Sequence, residues 1–390
     1  MNHGGGARYT MHGMGPRGSS VVDSMTMSPS NSFQGPPAAA VPPGLGAILA
    51  KVRRFFREHG RKLWWLHSAY ALGLGVSVVA FAQKGFDHAR WLSVTLVVAW
   101  LLVVGFFRIY GSGASQASME AAGSKTRFRF FALTYVLKNL YQGMLFFLLP
   151  FYWHSTTFGA PNEWFVVLLG VCAILSTLDI VFDRYLMKWR SLASVFHGIT
   201  LFGSLNLVIP ALFPDTRTLT TLLFAAGIAA VGVWTLHAPV RALKSKMYMG
   251  LVVASIIASL GVAYVARAAI PPVPMHLSYE AVGPMLTKDG RLAMEVTTLH
   301  SSVITQLLAV TDVVTPGGSG DRLHHVWRRD GAMIAMTGSA SRQKTKEGNI
   351  RLQSSLLGKE LPKSLAGHWT VDVETEDGQL VGRASFVVID

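Results

Sequence analysis

Residues 247–274, MYMGLVVASIIASLGVAYVARAAIPPVP, divide the chain into an apolar part and a more polar part. Residues 247–269 are almost entirely apolar and long enough to cross a bilayer core of ~30 Å. Three prolines follow at once, and proline-rich segments are stiff and extended. We therefore expect a last membrane helix and then a short spacer, formed by Pro271, Pro272 and Pro274, that holds the next domain off the bilayer.

Small residues recur at every fourth position of this last apolar run. They are Gly250, Ala254 and Ala258. Small side chains at this spacing let two helix backbones approach closely. The spacing predicts that these three residues form the packing face of the helix.

The composition is that of a membrane protein. Of the 390 residues, 51% are hydrophobic and 14% are charged, whereas soluble domains carry about 25% charged residues. The formal net charge of +14 suggests nucleic acid at first, but the basic residues lie at the ends of apolar runs, as in membrane proteins. We therefore predict no nucleic-acid partner. A single cysteine, Cys172, excludes a disulfide framework within one chain.

Two segments precede the first long apolar run. Residues 1–46 are rich in Gly, Pro, Ser and Met, a composition that buries too little apolar surface to offset the entropy of ordering, so we predict a disordered tail. In residues 47–63, apolar residues recur at helical spacing among basic ones. This pattern predicts an amphipathic lead-in helix that lies on an anionic lipid surface.

Seven apolar runs lie within residues 64–270. Each is close to the ~20 residues that cross a bilayer core, and aromatic residues cluster at their ends, as in interfacial belts. The fold class predicted here is a membrane all-α bundle of seven transmembrane helices. The runs are residues 64–82, 91–107, 130–151, 164–182, 192–213, 219–236 and 247–269.

The basic residues near the runs predict the orientation of the bundle, because such residues stay in the cytoplasm. Alternate connections differ strongly in basic charge. The rich set is residues 51–62, 108–129, 184–190 and 241–246, and the poor set carries Lys84, Arg90 and Arg217. We predict a cytoplasmic N-terminus and, after seven crossings, an external C-terminal domain.

Lys138, Asp179 and His197 fall inside the predicted spans. At ~1.5 Å per residue from the cytoplasmic ends, they lie at comparable depths, so Lys138 and Asp179 could pair across neighbouring helices. Charges inside a bilayer are costly, which makes this cluster a candidate site for a transporter or membrane enzyme. The alternative is that a Lys–Asp pair only joins two helices.

Residues 271–390 change to short alternating patterns. In residues 369–374, apolar and polar residues alternate with the period of a half-buried strand. The Asp-Gly pairs at 330–331 and 377–378 each lie between two such segments and predict hairpin turns. No long helical period is present, so we predict an all-β, antiparallel, sandwich-like domain.

His324, Trp327 and Trp369 are the candidate binding residues of this external domain. Two tryptophans can form a platform for a sugar or a peptide, although tryptophans lie more often in a core. His324 and His325 are strand neighbours that should point to opposite faces, which predicts one exposed and one packed histidine. No phosphate loop, zinc spacing or hydrolase elbow is present. We expect no catalytic residue, no metal and no cofactor.

Three segments of this domain resemble a bacterial domain family of unknown function, designated twenty-nine fourteen. They are HHVWRRDGAMIAMTG, SSLLGK and GHWTVDVETEDGQLVGRASFVV. The matching positions are Trp327, Lys359, Gly367, Trp369, Gly378 and Phe386. The family's usual Arg, aromatic and Ser pattern is replaced here by Arg351, Leu352, Gln353 and Ser354.

The resemblance also concerns the order of domains. Proteins of that family often place the domain after several membrane helices, and residues 51–390 are similar to that arrangement. It implies a bacterial inner-membrane protein with a periplasmic β domain, and it implies no activity. We expect the bilayer as one partner and, for the β domain, non-catalytic binding of a protein, peptide or glycan of the cell envelope.

Overall fold

The chain forms a bundle of helices followed by a β domain. The computed structural model describes residues 73, 89–110, 124–178, 181–186, 189–237, 245–287, 292–316, 320–337, 343–344, 349–358 and 360–390. The α-helices in these ranges are α1 Ala89–Tyr110, α2 Ser124–His154, α3 Glu163–Thr177, α4 Arg190–Leu212, α5 Thr218–His237 and α6 Lys246–Val265. The predicted tail and lead-in helix lie outside the described residues, as does nearly all of the first predicted span.

The predicted count of seven spans is not supported. Four helical segments in the described part of the chain are long and apolar enough to cross a membrane: Phe128–His154, Arg190–Leu212, Thr218–His237 and Lys246–Ala269. Two others, Arg90–Phe106 and Glu163–Thr177, are apolar but shorter. The second of these is short because the backbone turns to extended geometry at Leu178, which has φ −87° and ψ 96°.

Helices that follow one another in the chain are packed side by side. The most extensive contacts join α4 with α5, α5 with α6 and α2 with α3, while α1 packs against α2 and α4. The apolar core between them includes Leu137, Leu148, Leu169 and Leu207, all fully buried. Burying their side chains stabilises the bundle by about 25 cal/mol for each Å² of apolar surface that water would otherwise reach.

The predicted packing face of α6 is wrong. Gly250, Ala254 and Ala258 are all exposed, and α6 instead turns Val252 and Ala263 inwards. Hydroxyl groups decide the orientation, because Ser259 Oγ donates to Ala226 O of α5 at 3.1 Å and the Trp234 indole donates to Ser255 Oγ. Inside an apolar bundle these bonds favour the serine side over the small-residue side.

The β domain contains two sheets. The strands are β1 His276–Gly283, β2 Thr298–His300, β3 Gln306–Val314, β4 Leu323–Arg329, β5 Ala332–Thr337, β6 Gln343–Lys344, β7 Ile350–Leu357, β8 Gly367–Thr375 and β9 Leu380–Ile389. One sheet has the order β1-β3-β7-β6 and the other β2-β9-β8-β4-β5. All pairs are antiparallel except β2 with β9. The predicted β-rich C-terminal region is confirmed.

Both predicted hairpin turns are present. Asp330 and Gly331 connect β4 to β5 with φ of 48° and 82°, the left-handed pair that matches the twist of two paired strands. Gly378, with φ 78°, lies in the turn between β8 and β9. Glycine tolerates this backbone region without steric cost, which accounts for its position in the turn.

The β8–β9 turn lies directly on the end of the helix bundle. Arg267 Nε, just after α6, donates to the backbone oxygen of Asp377 at 2.7 Å. Arg217 Nη2, just before α5, lies 3.0 Å from Asp377 Oδ2. Asn162 Nδ2, just before α3, donates to Leu380 O at 3.3 Å. The expected proline spacer therefore does not hold the domain away from the helices.

Asp321 joins the β domain to the first turn of α5. Its fully buried carboxylate accepts hydrogen bonds from Thr218 N at 3.0 Å and from Thr218 Oγ1 at 3.2 Å. The first backbone N–H groups of a helix have no partner within the helix and favour negative charge. A residue of the β domain thus acts as the N-terminal cap of a bundle helix.

Replacing Gly320 by alanine should loosen this junction. A Cβ at Gly320 would overlap the backbone oxygen of Asp215, so the chain must shift and the free energy of unfolding should fall by about 1–3 kcal/mol. Hydrogen exchange should become faster at residues 376–379 and in the first turn of α5.

The matched control is Gly358→Ala, because nothing lies within 4 Å of the Cβ position at Gly358. Equal exchange rates in the two variants would contradict the junction described here.

Candidate functional site

Two of the three residues predicted for the intramembrane site, Lys138 and His197, both lie near Tyr141. Lys138 and Tyr141 are one turn apart on α2, and Tyr141 Oη lies 2.7 Å from His197 Nδ1 on α4. The Lys138 ammonium is 5.7 Å from the ring centroid of Tyr135. Lys138, Tyr141 and His197 are all buried. The structure thus adds Tyr141, which was not among the predicted site residues.

The third predicted residue, Asp179, lies outside the described residues, next to the break in α3. The chain continues after the break with a π-helical turn, Phe182–Leu186. Phe182 is fully buried, with its ring centroid 6.2 Å from that of Tyr141. Irregular backbone at membrane depth is tolerated where protein surrounds it, and π turns are frequent at functional sites. The predicted pair of Lys138 with Asp179 stays a prediction.

The polar cluster is enclosed. Three cavities, of ≈ 820, 520 and 340 Å³, border the helices, and none of these three is lined by Lys138, Tyr141 or His197. Within the cluster, His197 is 1% exposed and its Nε2 has no hydrogen-bond partner among the described residues. A buried polar atom in this state costs about 1–3 kcal/mol.

Trp327 and Trp369 do not form an external binding surface, because both are fully buried. They point into the space between the two sheets, where their N–H groups are satisfied. Trp327 Nε1 donates to Ser354 Oγ at 3.1 Å, and Trp369 Nε1 donates to Leu365 O at 2.7 Å. Their strand positions decide this, since alternate residues of β4 and β8 face the core.

His324 and His325 point to opposite faces of β4, as predicted. His325 is fully buried, whereas His324 is partly exposed on the outer face of the sheet. His325 Nε2 lies 2.9 Å from Thr311 Oγ1 of β3, and His325 Nδ1 lies 2.6 Å from Ser354 Oγ of β7. Burial lowers the pKa of His325 to about 4. The neutral imidazole therefore joins the two sheets across the core.

The outer face of the five-stranded sheet carries a ladder of charges. Asp372 accepts from Arg383 Nε at 2.5 Å and from Arg328 Nε at 3.0 Å, and Arg328 Nη2 donates to Glu374 at 2.8 Å. Hydrogen bonds to these carboxylates raise the pKa of both arginines. Since both guanidinium groups are already paired, this face does not present a basic patch to an anionic ligand.

The edge strand β5 carries exposed apolar side chains. Within the described residues it pairs only with β4. Met333 and Met336 are 58% and 56% exposed. Arg329 pairs with Trp369 and Leu323 with Thr375, so the β4–β5 turn lies at the opposite end of the sheet from the turn that contacts the bundle. Unpaired backbone groups on an edge strand can accept another strand.

The comparison with known families assigns most of the chain. The model of the family of unknown function DUF5924 matches residues 47–307. The chain belongs to the DUF5924 family. A second model, the protein of unknown function DUF2914, matches residues 320–388, which confirms the resemblance predicted for the C-terminal domain. No curated protein and no solved structure matches this DUF5924 member.

Three structural contacts in the β domain of this DUF5924 member were not predicted from its sequence. Thr311 and Ser354 complete the bonds of His325, and Asp321 caps α5. Their signal in the sequence is weak, because a lone polar residue in a strand does not show which strand lies opposite. Among the described residues, no group of three or more His, Cys, Asp or Glu side chains is placed to hold a metal ion.

Acidification should destabilise the β domain through His325. The unfolded imidazole, with a pKa near 6.5, binds a proton between pH 6.5 and pH 4, whereas the folded imidazole, with a pKa of about 4, does not. Stability is therefore complete above pH 6.5 and falls by about 3 kcal/mol as the pH drops to 4. Unfolding of the full chain, followed by hydrogen exchange in β4, measures this slope.

Two variants identify the group that causes the dependence of stability on pH. His325→Gln should remove most of it, at the cost of a lower stability at neutral pH, while His324→Gln should keep it. Equal slopes in the two variants would show that another group titrates.

Proposed function

We propose that this protein is a multi-pass protein of the bacterial inner membrane, with a cytoplasmic N-terminus and a periplasmic β domain. The support is an agreement between two independent observations. The β domain contacts the bundle beside Asn162, Arg217 and Arg267. These positions border connections that are poor in basic residues, and such connections are external. Helices α1, α3 and α5 begin on this side and helices α2, α4 and α6 end on it, which fits the same orientation.

Cysteine labelling of two matched serines tests the orientation. Ser385 lies exposed in β9 and Ser245 lies exposed just before α6. A membrane-impermeant maleimide should label Ser385→Cys in intact spheroplasts, whereas Ser245→Cys should react only after the membrane is permeabilised. The native Cys172 is buried and serves as an unlabelled background. The reverse pattern would place the β domain in the cytoplasm.

The function that the geometry supports best is non-catalytic recognition of an extended protein segment of the cell envelope at β5. The observation that carries it is the edge position of β5 with Met333 and Met336 exposed. A partner strand would gain main-chain hydrogen bonds from the edge and apolar contacts from the two methionines. β5 starts at the turn that points away from the bundle, so a periplasmic partner can reach it.

A glycan has weaker support as the ligand. Aromatic platforms for sugars need exposed rings, and Trp327 and Trp369 lie in the core. Transport or catalysis at the cluster of Lys138, Asp179 and His197 also has weaker support, since Lys138 and His197 line none of the three cavities described above.

Charge placed on the edge strand should abolish recognition. Met333→Lys with Met336→Lys leaves the core intact because both side chains are exposed, and lysine on an edge strand prevents pairing with another chain. A photo-crosslinking residue at position 334 should give a protein adduct of one defined mass in intact cells, and the double lysine variant should lose that adduct.

Met294→Lys is the matched control, since Met294 is exposed to a similar degree outside the sheets. Loss of the adduct in this control as well, or an adduct that persists in the double variant, would refute recognition at β5.

A further inference from the structure

The largest of the three cavities is a groove along α4, α5 and α6. It has a volume of ≈ 820 Å³, and its walls include Gly198 and Phe202 of α4, Ala230 and Val233 of α5, and Ser259 and Ala263 of α6. The groove exists because α6 packs on α5 but turns few of its residues inwards. It extends from His237 to Ala226 along α5, a rise of roughly 16 Å. We call it the α4–α6 groove.

The two ends of the α4–α6 groove differ in polarity. Phe165, Ala266 and Ile270 form the end next to the β domain. The opposite end contains Ser191 and a hydrogen-bonded pair, Ser194 Oγ with His237 Nε2 at 2.7 Å. An apolar channel with polar groups at one end matches the polarity of a lipid. The acyl chain of the lipid would lie in the channel and the headgroup at the polar end.

The polar end is also basic. Arg190 lies close enough to His237 to interact with it electrostatically. Trp234 and Tyr248 pack with ring centroids 5.4 Å apart, which brings the start of α6, with the exposed Lys246, to the same end. The start of α4 with Arg190 and the start of α6 with Lys246 thus supply two described basic residues to this end. Each basic residue near a bilayer surface adds about 1 kcal/mol of attraction for anionic lipid.

The size of the groove suits a small apolar ligand. The groove offers ≈ 820 Å³, which lies in the range of pockets for single small ligands, about 300–1,000 Å³.

We infer that the α4–α6 groove binds the acyl chain of an anionic phospholipid, with the phosphate held at the basic end by Arg190, Ser191 and Lys246. The inference rests on the membrane location proposed above, which places this end at the cytoplasmic leaflet. Cysteine labelling tests that location separately, so a failure of lipid binding and a failure of the topology are distinguishable. The lipid would fill the space between α4 and α6 and so support the position of α6.

Native mass spectrometry of the full-length protein measures the bound lipid directly. Delipidated protein is offered phosphatidylglycerol or phosphatidylcholine with the same acyl chains. The wild type should retain more phosphatidylglycerol. Ala230→Phe should reduce retention roughly tenfold, because the added ring takes space that the acyl chain needs. Lys246→Gln should reduce the preference for phosphatidylglycerol about fivefold.

Ala254→Phe is the matched control, because it adds the same volume to the exposed side of α6, and it should bind lipid as the wild type does. Equal retention of the two lipids by the wild type, or unchanged retention by Ala230→Phe, would overturn the inference. If Ala230→Phe does not fold, phosphatidylglycerol with a photoreactive acyl chain gives the answer on the wild type. Adducts concentrated on groove residues support the site, and adducts spread over all exposed faces of the bundle refute it.

Discussion

The buried carboxylate of Asp321 is the contact on which the arrangement of the two regions depends. A fully buried carboxylate is costly unless it accepts hydrogen bonds, and the start of a helix carries N–H groups without partners. Each region supplies what the other lacks, since Asp321 belongs to the β domain and Thr218 begins α5. Neither group is satisfied in this way if the two regions separate. The β domain and the helices therefore form one folded unit.

The boundaries of the two family matches agree with the conclusion that the β domain and the helices form one folded unit. The DUF5924 match ends at residue 307, at the start of β3, and the DUF2914 match begins at residue 320. One sandwich is thus divided between two families, although β3 pairs with both β1 and β7. The strands of the first family and those of the second complete each other's sheets. Because β3 joins them, the DUF2914 part alone lacks the strands that cover one side of its core.

Several polar groups inside the bundle are likewise satisfied by groups on neighbouring helices. Tyr141 bonds His197, Ser259 bonds the backbone of α5, and Tyr152 donates to Gly203 O at 3.0 Å. Where water is scarce, such bonds decide which helix faces meet. They explain why α6 turns its serines inwards and leaves its small residues outside, and this choice leaves the α4–α6 groove open beside it.

The sequence alone determined the features that repeat locally. Apolar runs predicted the helices, alternation and Asp-Gly pairs predicted strands and hairpins, and strand geometry placed His324 and His325 on opposite faces. These features follow from backbone periodicity and turn geometry, which depend on residues that are neighbours in the sequence. The motif around Trp327 and Trp369 also identified the second family correctly.

The tertiary structure determines which faces are covered. It placed Trp327 and Trp369 in the core, ended α3 before Asp179, set the β8–β9 turn on the helices and oriented α6 by its serines. Each of these outcomes depends on the group that lies opposite in space, from a distant part of the chain. Burial and hydrogen bonding depend on two segments that are distant in the sequence, so the periodicity of one segment does not predict them.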